Sequence, residues 1–237
     1  MSRVWAIAKR EYASFFRTPL GWVVIALFLL LAGSVFAWGV LRPGEAATLR
    51  PFFNIWWGLL MVVAPAISMR LFSEDLRTGT IEPLLTAPVT EAAVVAGKYA
   101  GSVMFLASML VPSLVYAVVL GMLTEIDPGP IAAGYLGILL LGMLYLAVGL
   151  LASALTSSQT LAFLATLVGF MLLEVITRTA TVLPERVADI VFALSPNLRM
   201  ADFARGIIDT AHIGFFLAGS FLFLAVTAVV LQSRRWR

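Results

Sequence analysis

The sequence predicts an all-α integral membrane protein: six transmembrane helices, an N-terminal interfacial amphipathic helix, and short outer re-entrant or interfacial helices between the fifth and sixth spans. Three observations carry this expectation. Of 237 residues, 61% are hydrophobic and 12% charged, with a mean hydropathy of +1.00; soluble domains run nearer half apolar and a quarter charged. Apolar runs close to the roughly 20 residues that cross a bilayer core recur along the chain. Its basic residues gather at the ends of those runs, where they set topology.

Ser2 to Thr18 opens the chain as an amphipathic helix, with Val4, Ile7, Tyr12 and Phe15 on an apolar stripe and Arg3, Lys9, Arg10 and Arg17 on a basic face. Such a helix lies in the membrane interface, its cations among lipid phosphates. Eighteen or so amphipathic residues before the first apolar run do not resemble the short basic start of a cleavable signal peptide. Pro19 marks a bend. The spans are expected at about 20–40, 51–69, 99–123, 131–155, 160–176 and 213–231. Pro112 falls inside the third, where neighbouring helices can satisfy the carbonyl it frees. Glu125 to Pro130 forms a tight turn, and Thr156 to Gln159 a short polar one.

The longest loop, Thr177 to His212, carries structure of its own. Val187, Ile190, Val191 and Leu194 repeat at helical spacing before Ser195-Pro196-Asn197 breaks the pattern. Asn197 is the expected N-cap of a second short helix running to Arg205, with Gly206 as its stop. Both pieces, within 184–206, are too short to span. The chain ends on Arg234-Arg235-Trp236-Arg237, a Trp among cations as at a membrane interface.

Six spans place both termini on one side. With that side cytoplasmic, ten basic residues (Arg3, Lys9, Arg10, Arg17, Arg70, Arg77, Lys98, Arg234, Arg235, Arg237) lie inside and six (Arg42, Arg50, Arg178, Arg186, Arg199, Arg205) outside. That excess favours termini inside, in a bacterial inner membrane. The net charge of +3 does not indicate nucleic acid, because the cations form no stripe on a soluble surface. With no cysteine, disulfides, thiolate chemistry and Cys-based metal sites are excluded.

The segment 73–90, between the second and third spans, is too polar to span and too regular for a linker. Glu74, Asp75 and Arg77 make a charged turn, and Gly79 permits a break. Pro83 suits the first turn of a short helix, on which Leu84 and Leu85 form an apolar knob. Leucines among acidic and hydroxyl side chains suit docking into a groove of a soluble partner, with charges at the rim.

Here the sequence resembles the ABC-2 family of ABC transporter permeases, in particular compact members such as the gliding-motility-associated permease. Glu74, Arg77, Gly79-Thr80, Glu82, Leu84-Leu85-Thr86, Pro88 and Gly97-Lys98 carry the resemblance. A second match is Leu194-Ser195-Pro196, with Phe203, Arg205-Gly206 and Ile208-Asp209. The resemblance implies a coupling helix near Thr80 to Thr86, seated in a cleft of a separate ATPase subunit that binds ATP and Mg. It further implies a connecting helix at Ser2 to Thr18, and outer helices over Pro184 to Gly206 that close the pathway. Two permeases would work with two ATPases, so the chain would pair with a second copy or a related permease. An accessory envelope protein is a further conceivable partner.

No Walker A motif is present: Gly97-Lys98 has Ala92 where the motif requires glycine, and no Ser or Thr follows the lysine. The chain is therefore expected to hydrolyse no ATP itself, and to hold no cofactor or metal. His212, the lone histidine, offers little to a zinc site or a Ser-His-Asp triad. Glu174 is the one carboxylate at a span, and Arg178, four residues on, can pair with it on one helix face. A structural ion pair and a pathway role are both open for it. Spans otherwise without charge argue against proton or sodium coupling. Small residues at Gly142, Gly149 and Ser153, and at Gly97 and Gly101, allow close helix approach. Function is thus expected to be that of a transmembrane permease subunit, an exporter driven by a partner's ATP hydrolysis. The alternatives are a scaffold subunit of an envelope assembly, or a membrane-integral lipid-modifying enzyme, for which no cluster of acidic, histidine or serine groups is evident.

Overall fold

A computed structural model describes residues 3–41, 48–80, 89–125 and 127–235, the side chains of Leu20, Arg234 and Arg235 apart. Among them the chain is helical with no strand. We number the α-helices α1 Arg3–Arg17, α2 Pro19–Val35, α3 Arg50–Ser68, α4 Ser73–Thr78, α5 Glu91–Leu123, α6 Pro128–Leu155, α7 Gln159–Thr179, α8 Glu185–Leu194, α9 Pro196–Ala204 and α10 Thr210–Arg235. A π-helical turn, Phe36–Val40, extends α2, and a 3₁₀ turn, Ala180–Val182, follows α7. Six helices (α2, α3, α5, α6, α7 and α10) are long and apolar enough to cross a membrane. The chain is a multi-pass membrane protein.

Local chemistry sets where these helices begin. Proline, whose fixed φ suits the first turn, opens α2, α6 and α9. Thr90, Asp127 and Ser158 cap α5, α6 and α7 by accepting from Ala93 N (3.3 Å), Gly129 N (2.9 Å) and Leu161 N (3.3 Å). With Thr90 as its cap, α5 starts eight residues before the apolar run that marked the third span, and Pro112 does not interrupt it. The expected N-cap at Asn197 is corrected to Ser195: Pro196 occupies the first helical position, so the cap must precede it. Gly206, at φ +89°, ends that segment as expected.

α6 is the axis of the bundle. Two-thirds of its most apolar stretch (67%) is buried, against 22% for α2 and α7 and 17% for α10. It packs against α3, α5, α7, α9 and α10. Trp56, Phe52, Phe53, Leu106, Leu141 and Leu146 fill the interior and are at most 1% exposed. Tyrosines tie span to span: Tyr116 donates to Leu29 O (2.9 Å), Tyr135 to Ser113 O (2.8 Å) and Tyr99 to Met143 O (3.0 Å). Such bonds are worth about 0.6–2 kcal/mol each in a membrane. Outward-facing apolar side chains such as Trp22, Met122 and Phe221 leave a surface suited to lipid.

The expected small-residue contacts form. Gly142 receives Leu106, and Gly149 receives Ser68. Gly97 and Gly101, however, admit α1 instead of another span. A β-carbon at Gly97 would lie 2.7 Å from Ile7, and one at Gly101 would lie 2.8 Å from the carbonyl of Ala8. α1 therefore lies backbone-close against α5, with Ala8, Glu11 and Phe15 buried and Arg3, Lys9, Arg10 and Arg17 exposed.

Candidate functional site

Between α3 and α4 the chain turns sharply at Met69 to Phe72, and the turn is held from outside its own sequence. Ser153, near the end of α6, accepts from Phe72 N (2.9 Å) and Ser73 N (3.0 Å) and donates to Met69 O (3.0 Å). Ser73 Oγ also donates to Met69 O. One hydroxyl thus satisfies two backbone donors at the start of α4, groups that a helix leaves orphaned. Leu71, Phe72 and Ser73 are buried at this point.

Two buried cations fasten this turn to α1. Arg70 donates to Ser14 Oγ (2.7 Å) and Thr18 Oγ1 (3.0 Å), and its guanidinium lies 4.5 Å from the centre of the Phe15 ring. Lys98, in the second turn of α5 and 3% exposed, stands between two carboxylates. Its Nζ is 3.2 Å from Glu11 Oε2 on α1 and 2.9 Å from Asp75 Oδ2 on α4. The Phe72 ring lies 5.3 Å away on a further side. A desolvated ammonium is tolerable only with such partners. Arg70 and Lys98, counted from the sequence among the cations at span ends, are both buried and engaged.

α4 projects the predicted site residues outward. Glu74 and Arg77 are exposed, and among the described residues they form no ion pair with each other. Gly79, at φ +73° with nothing within 4 Å of its missing β-carbon, ends the helix in a left-handed turn that other residues adopt only at a cost. Thr80 returns to the helix, its hydroxyl 3.1 Å from Asp75 Oδ1 and 2.9 Å from Thr78 Oγ1. The expected coupling helix, with Glu82, Leu84, Leu85 and Pro88, lies outside the described residues.

Sequence reasoning missed Glu11, Ser14 and Ser153 as parts of this site. One signal was available. Glu11 is the single acid of a basic helix, and it falls on the apolar stripe between Ala8 and Phe15. A carboxylate there requires a buried cation opposite. Ser153 stood in the sequence only as a small residue for close helix approach, and nothing in the linear pattern pointed to the turn it holds.

The second predicted site, Glu174 and Arg178, does pair: Nε to Oε1 is 2.7 Å, with Arg178 68% exposed. Asn197 of α9 adds contacts at 3.4 and 3.5 Å to the same carboxylate, so Glu174 links α7 to the N-terminal turn of α9. His212 stands 3.8 Å from Asp202, and among the described residues no cluster of three acidic or histidine side chains could hold a metal.

The ABC-2 family transporter model matches residues 5–231, nearly the whole chain, and the protein belongs to that family. It is a permease-type ABC transporter component, of a kind that is generally not itself catalytic and that generally works with an ATPase subunit. No curated protein matches the sequence.

Proposed function

We propose that this chain is the transmembrane subunit of an ATP-driven exporter, and that the segment 73–90 couples it to a separate ATPase that binds ATP and Mg. The observation carrying this reading is the bracing of the turn before that segment. A loop with no mechanical task needs no Ser153 clamp, and no lysine drawn out of water between Glu11 and Asp75. A lever that receives force at one end must be stiff at the other. Glu74 and Arg77 stand exposed on α4 for a partner's rim, and Gly79-Thr80 leads into the residues Glu82, Leu84, Leu85 and Pro88 that carry the family pattern.

The basic excess supports an inner-membrane orientation with both termini cytoplasmic, and α1 lying in the cytoplasmic interface with its exposed cations toward lipid phosphates. In that orientation α8 and α9 form the outer helices. The filled interior of the bundle supports a pathway along a surface shared with a second permease, identical or related. Within the family, the run from Glu74 to Pro88 supports similarity to the compact gliding-motility-associated permeases.

Affinity purification of the tagged chain in mild detergent from its host tests the reading. A nucleotide-binding subunit is expected to co-purify with ATPase activity, and to be lost when Leu84 and Leu85 become Asp. A stable complex with no ATPase, under conditions that preserve other ABC transporters, would overturn it.

A further inference from the structure

We propose that Lys98 is a positioning residue: by holding Glu11 and Asp75 to one ammonium, it makes α1, α4 and the start of α5 a single body, which fixes the angle of α4 at the head of the 73–90 segment. The inference rests on the proposed coupling role of that segment and names the device that orients it.

Three features carry it. First, the ammonium is almost wholly withdrawn from solvent, and its two carboxylates come from different elements, 3.2 and 2.9 Å away. The two carboxylate oxygens are therefore no more than about 6 Å apart, a distance at which two unscreened negative charges repel. Without the lysine, α1 and α4 would be driven apart as well as released. Second, the attachment is duplicated, since Arg70, just before α4, grips Ser14 and Thr18 on the same helix α1. Third, the chain of contacts runs outward: Lys98 holds Asp75, and Asp75 accepts from Thr80, the last described residue before the segment with the leucines. Gly97 and Gly101, flanking Lys98 on α5, allow the close seating of α1 that brings Glu11 within reach.

A released α4 would sample several orientations. If the docking-competent one fell to about a tenth of the population, apparent affinity for the ATPase would fall about tenfold. The chain contains no cysteine, so spin labels can be placed at will. Lys9 on α1 and Thr78 on α4 are exposed and can be replaced by cysteine. The full chain, co-expressed with its ATPase and held in lipid nanodiscs, is expected to give one narrow Lys9–Thr78 distance. With Lys98→Met the distribution should broaden and the co-purified ATPase should fall about tenfold. Should that variant fail to fold, the neutral combination Lys98→Met, Glu11→Gln, Asp75→Asn removes all three charges, so no unpaired carboxylates are left to repel, and it is expected to show the same two changes. Parental distance and retention in the neutral combination would overturn the proposal. So would lost retention at an unchanged distance, which would make Lys98 a direct contact. Failure of the parent to bring down any ATPase would instead sink the coupling role, while the label distances would still report on the brace.

Discussion

Replacing Gly101 with alanine should loosen α1 from the bundle, although alanine is the better helix former. The added β-carbon would lie 2.8 Å from Ala8 O, 2.8 Å from Glu11 Cβ and 3.2 Å from Tyr12 N. Two of these are backbone atoms of α1, which cannot rotate away as a side-chain tip can. Restoring ordinary contact of about 3.5 Å moves the helices apart by roughly 0.7 Å, and overpacking of this kind costs about 1–3 kcal/mol. The Gly-to-Ala gain in helix propensity returns up to about 1 kcal/mol. For a mid-range cost of about 2 kcal/mol the net loss is about 1–2 kcal/mol, concentrated on α1 because the clash is with that helix. Opening of α1 should then rise by about tenfold, since 1.4 kcal/mol is one decade. Lys9, Arg10 and Arg17 are exposed tryptic sites on α1, so cleavage there, followed by mass spectrometry in mild detergent, reads the opening directly. Gly58 on α3 has nothing within 4 Å of its missing β-carbon, and Gly58→Ala serves as the matched control, expected to be neutral or slightly stabilising. Tryptic cleavage of α1 in Gly101→Ala no faster than in the Gly58→Ala control would refute the backbone-close packing of α1 on α5.

Ser153→Ala should leave Phe72 N and Ser73 N without their buried acceptor, costing about 2–4 kcal/mol, and hydrogen exchange at residues 69–78 should accelerate while that of α10 is unchanged. Gly79→Ala keeps every contact but must hold φ near +73°, at about 1 kcal/mol; Gly79→Asn should cost less, as thermal melts of the two variants would show. Glu174→Gln should change stability by under about 1 kcal/mol and leave the proposed ATP-driven activity intact, because Arg178 is solvent-exposed and an i,i+4 pair is weak. A loss of activity at unchanged stability would give Glu174 a pathway role.

Much of the architecture was legible because a bilayer imposes a one-dimensional requirement: each span must be long, apolar and internally hydrogen-bonded, and a linear pattern reports all three. The number of spans was readable in this way, and six helices are long and apolar enough to cross a membrane. Errors fell where the local signal had two readings. The helix of the third span, α5, extends back to Glu91 because capping by Thr90, not hydropathy, sets its start. The cap before α9 is Ser195 because Pro196 takes the next position. In the same way Glu174–Arg178 was visible as an i,i+4 pair, whereas its third partner, Asn197, was not.

The sequence by itself determined the class, the number of spans, the placement of cations at their ends and the family pattern across 74–98, since each depends on residue type and spacing along one line. Only the tertiary structure decided what those cations do. Lys98 reads the same whether it faces lipid headgroups or sits between Glu11 and Asp75, and Ser153 is one small residue among many until it is seen beneath Phe72 and Ser73. Charges and hydroxyls act through distances of about 3 Å between atoms that the chain brings together from remote positions, and no periodicity records such a meeting.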